Sequence, residues 1–328
     1  MEINTDLAFS NQQHNRYTDP YGLPYKLFDD WLQNPTGKYF FIKYFRNRDD
    51  EQIIKHVREN KNVYYILHDN LEGYAKRRFN KIHNFVSEHN LQNKVFFNTS
   101  LKSTAEEYQH WLQQTNNKKI FTAFYYPEWY HRVYDNLIDY RLKKLSYQKD
   151  TYFCCLNNRH HEHRVLLVQD FQNNNVIDKG IVSSDFHKIS IDGVGSRPND
   201  YNPLIYNKSL INVVTETFYR QEWNETGNIF FSEKIWKPIV CKQAFIVVGP
   251  KHTLKYLKDL GFKTFEDIWD ESYDSVDYKK RLYMAANSLY NTIDNYSVDQ
   301  LNVLTKEIRE HNFKHFKKIR KEMIKTCW

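Results

Sequence analysis

Four residues that could bind a nucleotide lie close together in the second half of the chain: Ser232, Glu233, Lys234 and Lys237. The apolar run Ala244–Val248 and a Gly-Pro turn follow them. This order predicts a short helix, capped by the serine, that leads into a buried strand. In an open α/β sheet such a helix points its free N–H groups and its lysines at a phosphate. The stretch therefore predicts a binding site for a nucleotide or a nucleotide sugar.

Each of these side chains has a role in that chemistry. Ser232 would cap the helix, Glu233 would accept from ribose hydroxyls or complement the helix dipole, and Lys234 would reach the diphosphate. A leaving nucleoside diphosphate gains negative charge as the glycosidic bond breaks, and a lysine stabilises that charge without a metal. The alternative is an ordinary capped helix whose charges face water. The buried strand and the Gly249-Pro250 turn that follow favour the site.

The first half of the chain must form a layered domain, because predicted strands and helices alternate from residue 38 to residue 126. The predicted strands are 38–45, 62–69, 94–100 and 119–126, and the predicted helices are 49–60, 74–90 and 104–115. This alternation implies parallel strands in an α/β domain. Residues 130–148 would connect it to a second domain, which gives an N-terminal acceptor-side domain, 1–148, and a C-terminal nucleotide-sugar-binding domain, 149–328.

The second half repeats the α/β pattern. The predicted strands are 151–156, 181–184, 209–218 and 244–248, the predicted helices are 161–172, 253–261, 277–294 and 298–325, and a further short helix starts at Ser232. Residues 192–207, which are rich in Gly, Pro, Asp and Asn, are predicted to form a loop. Two successive α/β domains suit a donor on one side of a cleft and an acceptor on the other, at the C-terminal ends of the strands.

A family resemblance rests on three segments: Thr215-Glu216-Thr217 at a strand end, Ser232-Glu233-Lys234 at a helix start, and residues 245–250 after them. Together they resemble the donor-binding half of GT-B glycosyltransferases, most closely the fucosyltransferase-like kind. Residues 257–265 and 269–274 are similar to a group of phage and giant-virus glycosyltransferase-like proteins. The resemblance covers roughly the C-terminal half. It implies a GT-B-like α/β fold, with two Rossmann-like domains that face a cleft and with C-terminal helices.

The resemblance also implies further donor-binding residues. Arg164 lies near the position of an arginine that grips the diphosphate in the resembling enzymes; Arg159 is the fallback, and a surface arginine is the alternative. Glu216 ends a buried strand, where it could hold a sugar hydroxyl, orient Lys234 or simply face water. Thr217-Phe218 and a longer insertion depart from the fucosyltransferase pattern, so the donor sugar is not implied.

No metal and no cofactor are predicted, and the co-substrate is a UDP- or GDP-linked nucleotide diphosphate sugar. His160, His161 and His163 do not converge on one helix face with a carboxylate, and no D-x-D stands at a strand end. The four cysteines fit neither a disulfide framework nor a zinc site.

An inverting transfer also needs a base in the acceptor-side domain that takes the proton of the attacking hydroxyl. Asp69 and Glu128 stand at ends of predicted strands, and Asp69 is the first choice. The alternative for both acids is to solvate a loop or to cap the next helix.

The net charge of +7 points to an anionic partner without identifying it. Lys317 and Lys321 belong to a basic run that predicts either a solvated helix face or a nucleic-acid contact. A hydroxymethylated base in phage DNA is therefore one predicted acceptor, and a glycan or lipopolysaccharide is the alternative. A noncatalytic nucleic-acid or nucleotide-binding module is the hypothesis from a different class.

The sequence contains no run of 18 apolar residues and does not begin with a signal-peptide pattern. We therefore expect no membrane span and a location in the cytoplasm, which would be the host cytoplasm for a viral protein.

Overall fold

The computed structural model describes ten stretches of the chain: residues 39–44, 51–59, 61, 63–69, 76–125, 127–134, 149–157, 159–183, 203–219 and 230–319. The chain divides into two compact units. The first contains Met1–Arg132 with Glu322–Trp328, and the second contains Val133–Lys321.

The first unit holds a parallel four-stranded sheet whose strand order follows the chain, β1-β2-β3-β4. Its strands are β1 (Tyr39–Tyr44), β2 (Val63–Asp69), β3 (Val95–Thr99) and β4 (Thr122–Tyr125). Its helices are α1 (Glu51–Glu59), α2 (Lys76–Glu88), α3 (Thr104–Thr115) and α4 (Glu128–Val133). Aromatic rings fill the space between helices and sheet, where Phe79 of α2 packs on Tyr108 and Trp111 of α3.

The second unit holds another parallel sheet, in the order β6-β5-β7-β8. Its strands are β5 (Thr151–Leu156), β6 (Gly180–Ser183), β7 (Ser209–Thr215) and β8 (Ala244–Val248). Its helices are α5 (Glu162–Asn173), α6 (Pro203–Lys208), α7 (Glu233–Val240), α8 (Thr253–Asp259), α9 (Tyr278–Asn295) and α10 (Val298–Lys318). Two 3₁₀ helices, Ile177–Lys179 and Ser272–Ser275, complete the described elements.

The strand order of the second sheet changes direction at β5. The chain passes from β5 to β6 on one side and then returns to place β7 on the other side. The connections that follow β5 and β7 therefore diverge and leave a crevice at the carboxyl ends of these two strands. In open α/β sheets this switch point is where ligands bind.

The central strands of the second sheet are buried on both faces, as expected for a parallel sheet. Every residue of β7 and β8 is buried. The long C-terminal helices begin at well-formed caps, since Asp277 accepts from the N–H groups of Lys279 and Lys280, and Ser297 forms a capping box with Gln300. None of the described helices is long and apolar enough to span a membrane.

The predicted α/β fold class is confirmed, and several boundaries differ, three of them near the site or the junction between the units. Residues 128–133 form helix α4 rather than the start of a connecting segment. Helix α6 lies within the predicted loop 192–207, because a proline is favourable in the first position of a helix. Strand β7 ends at Thr215, before the predicted end at Phe218.

Candidate functional site

The start of α7 is tied to the end of β7 through one carboxylate. Ser232 Oγ donates to Glu216 Oε2 at 2.5 Å, and Ser232 N donates to Glu216 Oε1 at 3.3 Å. Ser232 also caps α7, as predicted, since its Oγ accepts from Lys234 N at 3.2 Å. Both Glu216 and Ser232 are fully buried. Glu216 thus orients the helix start from inside the protein, rather than facing water.

Lys234 projects from this buried base toward the solvent. Its Nζ lies 3.1 Å from Glu233 Oε1, 3.2 Å from Ser232 Oγ and 3.4 Å from Thr217 Oγ1. Its side chain is 24% exposed, whereas that of Glu233 is 10% exposed. The ammonium group is therefore held in one place by three oxygens, while part of the Lys234 side chain stays exposed.

The charges of this cluster balance one another. Burial by itself lowers the pKa of Lys234, but Glu233 and Glu216 together raise it above its ordinary value. Burial raises the pKa of Glu233, yet Lys234 and Lys237 bring it below its usual range. For Glu216 burial is the dominant effect, and its pKa is raised despite Lys234 and Ser232. The lysine is thus a permanent cation in a setting that favours the charged form.

Arg164 joins the cluster from the other side of the switch point. It lies in the first turn of α5, after β5, and its Nη2 donates to the carbonyl oxygen of Thr215 at 3.0 Å. The residue is 4% exposed. Its charge lowers the pKa of Lys234, so the two cations lie near each other. Two elements that are distant in sequence thus bring positive charge to one crevice.

Neighbouring side chains fix the ends of the strands. His163 Nε2 donates to Glu216 O at 3.0 Å, next to the contact of Arg164 with the preceding residue. The hydroxyl of Thr215 donates to Asn157 Oδ1, and Asn157 N donates to Ser183 O at 3.0 Å. These bonds join the carboxyl ends of β5, β6 and β7.

Helix α9 supports the same loops from behind. Arg281 is 1% exposed and donates to Gly249 O at 2.7 Å and to Val276 O at 2.6 Å. Tyr219 donates its hydroxyl to Tyr278 O, accepts from Leu282 N at 3.0 Å and stacks on His163 at 4.8 Å between ring centroids. The loops after β7 and β8 are therefore both anchored to the start of α9.

Gly249 lies close to this arrangement. A Cβ atom at this position would lie 3.5 Å from Glu216 Cβ, 3.3 Å from Val247 Cγ1 and 3.4 Å from Thr253 Oγ1. The missing side chain thus leaves room for the loop after β8 to pack against Glu216.

The structure brings together all six predicted donor-binding residues: Arg164, Glu216, Ser232, Glu233, Lys234 and Lys237. Lys237 is 9% exposed and acts on Glu233 one turn away. Arg159, the fallback for Arg164, is exposed.

Several supporting residues escaped the sequence analysis. Asn157 lies between the predicted strand 151–156 and the predicted helix 161–172, and Tyr219 and Arg281 belonged to no motif. Their partners are far away in sequence, so local patterns carried no signal for them. His163 was interpreted as part of an exposed helix start rather than as a metal ligand, but it is buried and its hydrogen bond is to a backbone carbonyl.

The two predicted bases lie at the carboxyl edge of the first sheet. Asp69 is the last residue of β2 and is in register with Thr99 of β3, which is in register with Tyr125 of β4. Glu128 is the first residue of α4, and it therefore starts a helix shortly after β4 ends. The side chains of both acids lie outside the part that the structure describes.

Lys317 is exposed in the last turn of α10, and its ammonium lies 5.4 Å from the ring centroid of Phe313. Lys321 falls outside the described residues. His161 and His163 have ring centroids 5.8 Å apart. Within the described ranges, no three His, Cys, Asp or Glu side chains form a group that could hold a metal ion. The absence of a metal requirement stays a prediction.

No protein-family model and no curated protein matches the sequence. Among solved structures, T4 phage BGT in complex with UDP and Mn2+ is similar over 91% of this chain and 83% of its own, with 12% identity and a TM-score of 0.37. An alpha1,3-fucosyltransferase with GDP-fucose is similar over 84% of this chain and 76% of its own, with 12% identity and a TM-score of 0.26. The assignment of residues to a site rests on the geometry described above.

Proposed function

We propose that this protein is a glycosyltransferase that moves a sugar from a nucleotide diphosphate sugar to a hydroxyl acceptor. The observation that carries the proposal is the pair of cations, Arg164 and Lys234, held at the switch point of a parallel α/β sheet. Both are fixed by buried hydrogen bonds before any ligand arrives. The resemblance of the segments around Glu216 and Ser232 to GT-B donor domains supports the same function.

The arrangement suits a leaving group that becomes more negative during the reaction. As the bond between the anomeric carbon and the phosphate oxygen breaks, its electron pair leaves with the nucleoside diphosphate. A lysine and an arginine that are already in place stabilise this charge without reorganising in the transition state. The positive end of the α7 dipole adds to the effect. This chemistry needs no metal, and we propose a metal-independent transfer.

We further propose an inverting transfer in which an acid of the first unit removes the acceptor proton. The acceptor oxygen forms a bond to the anomeric carbon while the diphosphate departs from the opposite face, and the proton moves to the carboxylate of Asp69. Asp69 lies at the carboxyl edge of its sheet, where substrates of α/β proteins bind. Glu128 at the start of α4 is the second candidate.

The first test is donor turnover. We expect the purified protein to release nucleoside diphosphate from a UDP- or GDP-linked sugar, faster in the presence of a suitable acceptor. Lys234→Ala should lower kcat/KM by about 10²-fold or more, the size found for loss of one preorganised donor to a developing anion. Lys255→Ala is the matched control, because Lys255 is an exposed lysine of α8 that pairs with Asp259.

The outcome separates an enzyme from a binding module. The proposal is supported if Lys234→Ala lowers the release of nucleoside diphosphate and Lys255→Ala leaves it unchanged. Binding of donors without release, with DNA and glycan acceptors present, would favour the noncatalytic nucleotide-binding module.

A second experiment concerns the base. Asp69→Asn should abolish transfer to the acceptor while donor affinity is kept, because an amide cannot take up the proton. Glu128→Gln should have the smaller effect. The reverse result would assign the role to Glu128.

For the acceptor we propose a hydroxymethylated base in DNA, supported by the resemblance to phage proteins and by the net charge of +7. Affinity for duplex DNA should then fall steeply with salt, and Lys317→Glu with Lys321→Glu should flatten that dependence. An unchanged slope, together with transfer to a glycan or lipopolysaccharide, would contradict the DNA acceptor.

A further inference from the structure

The imidazole of His161 is a polar group at the candidate site that the proposed chemistry has not used. His161 is the N-cap residue of α5, but its side chain does not cap the helix. The ring is half-buried, and it takes no hydrogen bond from the part of the chain that the structure describes. Its contact is with the ring of His163, at 5.8 Å between centroids. Among the described residues, neither ring nitrogen is thus held by a protein partner.

The groups around His161 are mostly cations. Burial lowers the pKa of His161, and Arg164, Arg159, Lys234 and His160 lower it further, in that order. They come from three places: the segment before α5, α5 itself and the start of α7. His163 and Glu162 are its remaining titratable neighbours in α5. Burial and the surrounding cations therefore favour the neutral form of this imidazole near pH 7.

A diphosphate would reverse this balance. Its negative charges would neutralise the repulsion from Arg164 and Lys234, so the imidazolium would gain a favourable partner in place of unfavourable ones. We propose that His161 is a further diphosphate-binding residue, which takes up one proton from solvent when the nucleotide sugar binds and then donates a hydrogen bond to a phosphate oxygen. This inference rests on the proposed function.

Proton uptake gives donor binding a definite pH dependence. A ligand that raises the pKa of a group binds more tightly as the pH falls through the range between the bound and free pKa values. We expect donor affinity to rise as the pH falls from 8 to 6, and the total change over the complete titration to be about tenfold for each unit by which binding raises the pKa. A nucleotide sugar is the right probe, because both of its phosphates are esterified and keep a constant charge over this range. A free nucleoside diphosphate titrates near pH 6, at about the pKa of other phosphate monoesters.

The experiment is calorimetric titration of the protein with UDP- and GDP-linked sugars, in buffers of low and high ionisation enthalpy at the same pH. The binding enthalpy of the natural protein should differ between the buffers by an amount that corresponds to proton uptake. His161→Gln should remove the difference and flatten the pH dependence. His110→Gln, on an exposed face of α3, is the control and should retain both.

Each outcome is informative. Binding without a buffer difference, or a difference that His161→Gln retains, would overturn the inference and leave the proposed function standing. No binding of any nucleotide sugar would contradict both. The folded state of His161→Gln must be verified. NMR of the natural protein provides a measurement that does not depend on this variant. The His161 ring resonances should titrate at higher pH with the nucleotide sugar than without it.

Discussion

The two ends of the second sheet hold buried polar groups of different kinds. At the amino end, Gln243 Nε2 donates to Ser209 O at 3.0 Å and to Ser209 Oγ at 2.7 Å, while Gln243 Oε1 accepts from Asn212 Nδ2 at 3.0 Å. These are neutral groups that satisfy one another. At the carboxyl end, Glu216 and Lys234 are parts of an ionic cluster.

The difference reflects what each end must do. Neutral hydrogen bonds in the interior contribute to stability at a modest cost of desolvation. Buried charges cost much more and are weak evidence for stability, so a cluster of them is explained better by an anionic ligand than by folding. Two buried cations break the pattern at the amino end, Arg309, which is 7% exposed and donates to Lys242 O at 2.9 Å, and Lys149. Lys149 is 4% exposed and donates to the carbonyl of Tyr206.

Among the changes that compare the two ends of the sheet, Arg164→Met should have the largest effect on function. It removes a permanent charge and its planar fork from the crevice, and we expect kcat/KM for the nucleotide sugar to fall by about 10²-fold. Steady-state kinetics of Arg164→Met and Arg164→Lys together measure the contribution of the planar guanidinium, because lysine keeps the charge and loses the planar geometry. If both variants retained full activity, the carboxyl end would not be a diphosphate site.

Ser232→Ala should weaken both stability and donor binding. It removes the cap of α7, which costs about 0.5–2 kcal/mol. It also leaves Glu216 Oε2 without its hydroxyl donor, for about 1–3 kcal/mol more. Denaturant unfolding measures the loss of stability, and KM for the donor measures the loss of donor binding. Ser297→Ala is the matched control at a capping box on α10, where only the cap cost is expected. Equal effects of the two changes on KM would contradict a special role of Ser232.

Gln243→Met should show the opposite behaviour, with reduced stability and unchanged donor KM. The methionine fills a similar volume but leaves Ser209 O and Asn212 Nδ2 without their partner, at a cost of about 1–3 kcal/mol. Chemical denaturation and donor kinetics on the same preparation check the result. A rise in donor KM at temperatures well below unfolding would show that the two ends of the sheet are not independent.

Lys149 should have the smallest effect on function, and its contribution should appear as a pH dependence of stability. Burial lowers its pKa to about 8; Arg309 lowers the pKa further, while Cys241 and Cys154 oppose the shift. Between pH 8 and the ordinary lysine pKa near 10.5, the unfolded chain binds more protons than the native one, so this group makes stability rise with pH in that window. From pH 8 to pH 10, the unfolding free energy of the natural protein should therefore rise relative to that of Lys149→Met. A constant difference would mean that Lys149 keeps an ordinary pKa in the fold.

The sequence predicted the parts of the site that depend on neighbours along the chain. A serine, an acid and a lysine before an apolar run are enough to predict a capped helix at Ser232 and a buried strand at Ala244–Val248. The bond between Arg164 and Thr215 spans 51 residues, and that between Ser232 and Glu216 spans 16. Such partners are determined by strand order, which local patterns do not contain.

Other differences came from weak propensities. Helix α4 follows Pro127 with the sequence Glu-Trp-Tyr-His-Arg-Val, whose aromatic and β-branched residues are poor helix formers, so tertiary packing decides its conformation. Trp129 and Tyr130 in this helix are buried, in agreement with that explanation. Glu128 was therefore expected at a strand end and lies at a helix start.

The anchoring of two loops to Arg281 and Tyr219 has a consequence for protein engineering. Helix α9 lies beyond the last strand of the second sheet, yet it contacts the loops after β7 and β8 through Gly249 O and the ring and hydroxyl of Tyr219. A fragment or chimera that is cut before residue 277 would keep every strand of the sheet and lose the brace on both loops. Any transplant of the second sheet with its loops into another scaffold must therefore include α9.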